Sequence, residues 1–315
     1  TEIYTLSLHD ALPISLFEQV TPQAVANFMA YVNGGDYNGV VFHRSFPPGA
    51  GPNSSIFSLV TVPSGRFVAG GDFSSYNSTA AASLVRVNED GSADASFSGS
   101  GGANDRVRKV VVDVNGRFII GGDFTFYQNV PRARVARVNA NGALDAGFDP
   151  GTGTDGTVHT LAVASGDQVY IAGSFFNYNS SNANRVARIN TDGSLDGTFD
   201  VQGGPNGDVF DMIVLPSGKL LIAGQFTSVN GVARSGVARL NSDGSLDMDF
   251  DPGAGADGPV RAILRLNDDR LMIAGGFSNY DGTGRVRVAR LFEDGSLDTS
   301  FDPAGGPNAT VNEMI

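Results

Sequence analysis

Short apolar runs separated by turn residues recur along most of the chain. Within the stretch 260–292, three such runs follow one another, reading VRAILRL, RLMIAGGF and VRVARLF, with polar turns between them. Runs of this length bounded by Gly, Asn and Asp are typical of β-strands, and no unit carries a long apolar stripe with the period of a helix. The pattern predicts three or four short strands in each unit.

The unit returns every 51 residues without an insertion. A period near this length matches a four-stranded propeller blade and is far longer than one coil of a solenoid. We therefore predict an all-β fold, a β-propeller over 46–315, with a short N-terminal α/β fragment before it. The predicted array has five full blades and the start of a sixth: 46–96, 97–147, 148–198, 199–249, 250–300 and 301–315. The ring that they form is either closed or incomplete.

Two residue types mark the period. A phenylalanine begins each unit, and a glycine closes its second apolar run. The phenylalanines are Phe46, Phe97, Phe148, Phe199, Phe250 and Phe301, and the glycines are Gly71, Gly122, Gly173, Gly224 and Gly275. The second run is apolar at consecutive positions, as in Leu271–Ala274, which predicts a strand covered on both faces by neighbouring blades.

Composition and charge narrow the possible functions. A formal charge of −12 disfavours a nucleic-acid partner, and no stretch has the roughly 18–20 apolar residues that span a bilayer. Without cysteine the chain has no disulfide, thiolate nucleophile or cysteine-ligated metal. Its three histidines, His9, His43 and His159, are too few for a His-rich metal site. We predict that it uses no cofactor.

Three motifs recur in phase: an apolar run ending in GGDF, the run V-A-R-[LI]-N, and D-G-S-L-D-x-x-F-D-P-G. Together they resemble the bacterial delta-60 repeat over 46–315. The resemblance implies a propeller of large, secreted or surface bacterial proteins without an established catalytic activity. It predicts a non-catalytic repeat scaffold or binding module, extracellular or at the cell surface, with an unknown protein or glycan ligand.

The turn Asn190–Asp196 and its equivalents are dense in oxygen donors, which suggests calcium. The ligand spacing of an EF-hand loop is missing, however, and a tight turn with glycine at positive φ explains the same residues. We therefore predict structural turns and no metal site. The carboxylates kept as weak calcium candidates are Asp90, Asp94, Asp192, Asp196, Asp243 and Asp247.

One arginine also recurs in every unit, as Arg86, Arg137, Arg188, Arg239 and Arg290. A cationic ring for an anionic ligand is one interpretation. Structural ion pairs with a repeated acid are the favoured one. The candidate partners are Asp149, Asp200, Asp251 and Asp302.

Catalysis in the array would require residues that differ between units. The more individual ones are His159, Tyr127, Tyr170, Tyr178 and Tyr280. A propeller hydrolase or lyase would further need non-repeating acids to converge in a cleft. The candidates for that cleft are Asp113, Asp167 and Asp211.

Residues 16–45 follow a different pattern, in which Thr21 can cap a helix over about 22–33 and a strand follows over about 40–44. They resemble the early part of a cyclophilin-type peptidyl-prolyl isomerase. By that resemblance Arg44 matches the catalytic arginine, which stabilises the twisted prolyl amide. Roughly 30 residues cannot bury the core of a closed barrel. We expect no isomerase activity and no catalytic site, and an isomerase with a propeller appendage is the alternative function.

Residues 1–14 resemble the conceptual translation of a sequencing adapter. We predict a non-native or disordered leader over 1–15, with the native N-terminus absent. A chimera formed in a metagenomic assembly and a genuine gene fusion are both open explanations for the join between the cyclophilin-like fragment and the repeats.

Overall fold

The computed structural model describes residues 51–63, 65–97 and 101–314, together with the backbone of two short strands near the start of the chain. These strands, Tyr4–Leu6 and Ile14–Leu16, pair antiparallel. The helix predicted at about 22–33, the strand at about 40–44 and Arg44 lie outside the described residues. The domain boundaries proposed there stay predictions.

Five three-stranded antiparallel sheets follow one another along the repeats, and we call them blades 1 to 5. In each blade the second strand lies between the first and the third. The strands are Ile56–Val62, Arg66–Gly71 and Leu84–Val87 in blade 1; Val107–Val112, Phe118–Gly122 and Val135–Val138 in blade 2; Val158–Val163, Val169–Gly173 and Val186–Ile189 in blade 3; Val209–Val214, Leu220–Gly224 and Val237–Leu240 in blade 4; and Val260–Arg265, Leu271–Gly275 and Val288–Leu291 in blade 5.

A two-stranded hairpin connects the second strand of each blade to the third. The hairpins are Ser75–Tyr76 with Thr79–Ala80, Phe126–Tyr127 with Val130–Pro131, Asn177–Tyr178 with Ser181–Asn182, Ser228–Val229 with Val232–Ala233, and Asn279–Tyr280 with Thr283–Gly284. Of the three or four strands predicted in each unit, three form the sheet, and the chain then returns to the third strand through a single bridge, such as Ile189 with Leu195. Helix in the described residues is limited to one 3₁₀ turn, Ser165–Asp167.

The blades pack face to face, with the first strands of consecutive blades next to one another. In the second strand of blade 4, Leu220 and Ile222 point into the core shared with blade 3, whereas Leu221 and Ala223 point into the core shared with blade 5. Each fully buried Leu or Ile contributes roughly 1.5–3 kcal/mol. The prediction that these apolar strands are covered on both faces is confirmed, and the arrangement is a β-propeller with the first strands innermost.

The two ends of the array are covered differently. Leu59 of blade 1 is 36 % exposed, whereas its equivalents in blades 2 to 5 are at most 4 % exposed because each has a preceding blade. Those equivalents are Val110, Leu161, Met212 and Ile263. On the far side, Val311 and Met314 from the start of the sixth unit pack on Met272 of blade 5.

The repeated arginine pairs with an acid of its own blade, and in blades 1 to 4 it also bonds the next blade. In blade 3, Nε of Arg188 donates to Oδ2 of Asp196 at 2.6 Å, and Nη1 donates to the carbonyl of Ser242 in blade 4 at 2.8 Å. The guanidinium also lies 5.3 Å from the ring centroid of Phe199. The ion pair recurs in every blade, and the bond to the next blade recurs in blades 1, 2 and 4, so the interpretation as a structural ion pair is confirmed. We call these residues the hub arginines: Arg86, Arg137, Arg188, Arg239 and Arg290.

The acid predicted to pair with this arginine is wrong. The partner lies eight residues after the arginine, and is Asp94, Asp145, Asp196, Asp247 or Asp298. Three of the acids predicted instead, Asp149, Asp251 and Asp302, lie 3.6–3.9 Å from a second repeated arginine, namely Arg132, Arg234 and Arg285. The turn geometry, which brings the last carboxylate of the D-G-S-L-D motif over the third strand, decides the pairing.

These ion pairs predict a loss of stability in acid. Burial alone would raise the pKa of Asp196, but hydrogen bonds from Thr198 and Arg188 outweigh it and lower that pKa to about 2. Because the unfolded value is about 3.9, the stabilisation is present above that pH and is lost as the pH falls through about 2. We expect Asp196→Asn to lower the melting temperature most at neutral pH, with the difference shrinking toward about pH 2. Thermal melts over this range, with the exposed Asp269→Asn as control, test this; a difference independent of pH would contradict it.

Candidate binding site

Every first strand carries a β-bulge at its second residue. In blade 3, Val158 pairs with Gly173 and Thr160 pairs with Ala172, so His159 between them has no partner across the ladder. The other blades show the same shift of register. A bulge re-aims a side chain and is common beside functional sites. The five bulge residues are Phe57, Arg108, His159, Phe210 and Arg261, and we call them the bulge ring.

The bulge explains the glycine that marks the repeat. A Cβ on Gly173 would lie 2.0 Å from the carbonyl oxygen of Thr157 and 3.1 Å from the amide nitrogen of His159. Both are backbone atoms of the bulged strand, so they cannot move aside as a flexible side chain would. The equivalent distances to the preceding carbonyl oxygen in the other blades are 2.0–2.1 Å. Glycine is therefore required here by close approach of two backbones.

Neighbouring members of the bulge ring contact one another around the propeller axis. The Arg108 guanidinium lies 5.9 Å from the ring centroid of Phe57, and the Arg261 guanidinium lies 4.9 Å from that of Phe210. The rings of His159 and Phe210 meet edge to face at 5.5 Å. All five side chains are half-buried. The innermost strands thus present two cations, an imidazole and two phenyl rings on one surface.

Electrostatics differ between the two arginines of the ring. Arg108 is paired with Asp123 at 2.8 Å. Within the described residues Arg261 forms no ion pair, and its Nε is buried without a hydrogen-bond partner. Burial and then the nearby Arg108 charge lower the pKa of His159, so the imidazole is neutral at pH 7. A ligand would therefore meet Arg261 as the cation with free donors.

Sequence reasoning found one member of this ring, His159, and missed the other four. The signal that could have found them is the repeat itself, because this position holds Phe, Arg, His, Phe and Arg in turn while the residue before it is always Ile or Val. A position whose residue type changes from blade to blade does not serve the packing common to all blades.

Three of the tyrosines treated as individual residues are repeated structural residues, and that prediction was wrong. The hydroxyls of Tyr127, Tyr178 and Tyr280 donate to the carbonyls of the turn glycines Gly142, Gly193 and Gly295, at 2.5–2.8 Å. Tyr76 makes the equivalent bond in blade 1. Burial raises the pKa of all three hydroxyls. Tyr170 lies beside Arg188 instead, with its hydroxyl 3.3 Å from Nη1.

The acids considered for a hydrolase or lyase have separate structural roles. Asp113 accepts from Nε of Arg117 at 2.7 Å, and Asp167 accepts from the side chain of Asn115 at 3.0 Å, both in turns between first and second strands. Asp211 lies within the first strand of blade 4 and accepts from the amide of Ile263 in blade 5 at 2.9 Å. Burial raises the pKa of Asp211. Asp211 thus accepts from a strand amide of the next blade, whereas the two turn acids accept from side chains of turn residues.

The calcium candidates already accept hydrogen bonds from the protein. Asp90, Asp192 and Asp243 each accept from the amide and hydroxyl of the serine two residues later. Asp94, Asp196 and Asp247 accept from the hub arginines described above. In the part of the chain that the structure describes, no group of three or more His, Cys, Asp or Glu is arranged to hold a metal ion. The absence of a metal site at these turns stays a prediction.

A depression of about 790 Å³ lies elsewhere, between the turns of blades 4 and 5. Its lining includes Arg239, Arg270 and Phe292 together with several acids. Arg239 is engaged by Asp247 and Arg270 by Asp298, at 2.5 and 3.1 Å. Because these cations already have internal partners, the bulge ring is the stronger candidate for ligand binding.

The fold and its inner ring define a β-propeller whose blades share one framework and differ in residue type at the bulge. The chain belongs to the family described as domain of unknown function DUF5122, a beta-propeller, whose model matches residues 63–97, 115–148, 167–199, 215–250 and 266–301. No curated protein matches the sequence. Among the described residues no helix is both long and apolar enough to cross a membrane.

Several solved structures are similar in fold. A protein of unknown function from Bacteroides caccae is 13 % identical, with 82 % of this chain and 84 % of that chain covered and a TM-score of 0.43. A catalytically inactive virginiamycin B lyase from Staphylococcus aureus, solved with quinupristin, is 14 % identical over 85 % and 75 % of the two chains, with a TM-score of 0.48. PorZ, a surface component of the type-IX secretion system of Porphyromonas gingivalis, is 12 % identical over 79 % and 34 %, with a TM-score of 0.45.

Proposed function

We propose that this propeller is a non-catalytic binding module whose ligand lies on the bulge ring. The observation that carries the proposal is the ring itself, since a position re-aimed by a bulge in every blade holds a different kind of side chain from blade to blade. Residues that only stack the blades are alike in each unit, as the hub arginines are.

The composition of the ring suggests the kind of ligand. Phe57 and Phe210 offer apolar faces, and Arg261 offers donors that no described carboxylate neutralises. Anions with an apolar part match both groups, despite the formal charge of −12 on the whole chain. A location outside the cell or at its surface, and a protein or glycan as the natural partner, are part of this proposal and rest on the delta-60 resemblance.

The cyclophilin-like reading of 16–45 stays a prediction, because that segment lies outside the described residues and outside the family match. The binding function proposed for the propeller does not depend on it.

An anionic aromatic dye tests the proposal directly. We expect anilinonaphthalene sulfonate to bind the chain with enhanced fluorescence, and Phe210→Ala to weaken that binding by about 5-fold because a stacked ring contributes roughly 1 kcal/mol beyond its buried area. Phe176→Ala is the matched control, since Phe176 is an exposed ring directly before the hairpin of blade 3. Equal dye binding by the wild type and Phe210→Ala, at unchanged melting temperature, would refute the bulge ring as the site.

A further inference from the structure

Two blades place an arginine at the bulge, and only one of them supplies it with a carboxylate. In blade 2, Nε and Nη2 of Arg108 donate to Oδ2 of Asp123 at 3.0 and 2.8 Å. In blade 5 the equivalent of Arg108 is Arg261, and the equivalent of Asp123 is Gly276, three repeats later in each case. Blade 5 therefore has the same arginine as blade 2, but it has a glycine where blade 2 has the carboxylate that pairs with this arginine.

The backbone shows that the two positions correspond. The amide of Asp123 donates to the carbonyl of Arg106 at 2.9 Å, and the amide of Gly276 donates to the carbonyl of Pro259 at 2.8 Å. Both residues directly follow the glycine that accommodates the bulge. The difference between the blades is therefore the side chain and not the path of the chain.

The residue that forms the second side-chain hydrogen bond to the Asp123 carboxylate also has an equivalent beside Gly276. Oγ1 of Thr157, in blade 3, donates to Oδ1 of Asp123 at 2.7 Å. The equivalent of Thr157 three repeats later is Thr310, and its Oγ1 lies 3.6 Å from where a Cβ on Gly276 would stand. Thr310 thus approaches the Gly276 position as Thr157 approaches the Asp123 carboxylate, and Arg261 occupies the sequence position equivalent to Arg108.

Arg261 lacks the hydrogen-bond acceptor that Arg108 has. Its Nε is buried and has no hydrogen-bond partner, and the equivalent atom of Arg108 is one of the two that bond Asp123. A buried guanidinium N–H without an acceptor costs free energy that an incoming anion would recover. The Phe210 ring, 4.9 Å from the Arg261 guanidinium, flanks the same place.

We propose that Arg261, Thr310 and the backbone at Gly276 form a subsite for the carboxylate of an aromatic ligand. The carboxylate takes the role that the Asp123 side chain has in blade 2, bonded by Arg261 and by the Thr310 hydroxyl. The aromatic part lies against Phe210, where an offset or edge-to-face contact is favourable. This inference rests on the proposed function and names the ligand class of the same ring.

Benzoate is the probe, followed by saturation-transfer NMR on the full chain with benzamide as its uncharged analogue. We expect benzoate to bind with a dissociation constant on the order of 1 mM or below and benzamide to bind much more weakly. Arg261→Gln and Thr310→Val should each weaken benzoate binding, the former by about 10- to 100-fold. Arg265→Gln is the control, because Arg265 is an exposed arginine of the same strand that pairs with Asp269.

Gly276→Asp is the decisive variant, because it places a carboxylate within the chain where the ligand's would be. A side chain there meets first Cγ of Pro259, at 3.2 Å, which requires a shift of a few tenths of an ångström. We expect benzoate binding to be lost while the melting temperature is kept or raised, since Arg261 gains an internal partner.

Two results would overturn the subsite. Undiminished benzoate binding by a folded Gly276→Asp variant would show that the carboxylate does not lie there, and tighter binding of glucuronate than of benzoate would show that the ligand is a sugar acid instead of an aromatic one. In both cases dye binding that is lost in Phe210→Ala would still support the bulge ring. Dye binding unaffected by Phe210→Ala would instead remove the proposed function itself.

Discussion

Gly173→Ala is expected to unfold at a much lower denaturant concentration than the wild type. Its new Cβ would lie 2.0 Å from the carbonyl oxygen of Thr157, far inside contact distance. Relief requires the first and second strands of blade 3 to separate at the bulge, which breaks ladder hydrogen bonds and displaces His159. We expect the free energy of unfolding to fall by roughly 4 kcal/mol or more, at the upper end of single substitutions.

Gly197→Ala is the matched control in the same blade, because nothing lies within 4 Å of a Cβ there. It should change the free energy of unfolding by less than about 0.5 kcal/mol. Urea unfolding followed by circular dichroism compares the two. If Gly173→Ala unfolded at the same midpoint as Gly197→Ala, the account of the bulge as a close approach of two backbones would be wrong.

Arg188→Ala should have the second-largest effect. The substitution leaves the Asp196 carboxylate, 6 % exposed, without its cation, although Gln168 still donates to it at 2.8 Å. It also removes the bond to Ser242 that joins blade 3 to blade 4. Breaking one side of a buried ion pair costs roughly 3–5 kcal/mol, which corresponds to a fall in melting temperature of roughly 6–20 °C for a chain of this size.

Arg265→Ala is the control for charge alone. Arg265 pairs with Asp269 on the surface, where both side chains are more than a third exposed, and such pairs contribute little. Differential scanning calorimetry of both variants decides the matter. Loss of dye or benzoate binding by Arg188→Ala at an unchanged melting temperature would restore the interpretation of these arginines as a ligand-binding ring.

Much of the architecture could be predicted from the sequence for a physical reason. The second strand of a blade is covered on one face by the preceding blade and on the other by the following blade. Runs such as Leu220–Ala223 must therefore be apolar on both faces, and that requirement is visible in the sequence. The turn glycines and phenylalanines serve every blade alike and therefore recur at a constant spacing. Equal spacing was enough to predict equal blades.

The hydrogen-bond partners were harder to predict. Arg188 has several acids at similar distances along the chain, and Asp196 is chosen because the turn after the third strand folds back over it. The hydroxyl of Tyr178 finds the carbonyl of Gly193 for the same reason. A periodic pattern shows which residues are equivalent from blade to blade. It does not show which of two sets of repeated acids contacts the repeated arginine.

The sequence by itself determined the period, the all-β class, the covered strands and the positions of the repeated glycines. Only the tertiary structure decided that Phe57, Arg108, His159, Phe210 and Arg261 share one surface, and that Thr310 lies beside Gly276, where blade 2 has the Asp123 carboxylate. The reason is geometric. Residues one or more repeats apart become neighbours when the blades stack around an axis. Residues that differ between blades can therefore form one site where they come together.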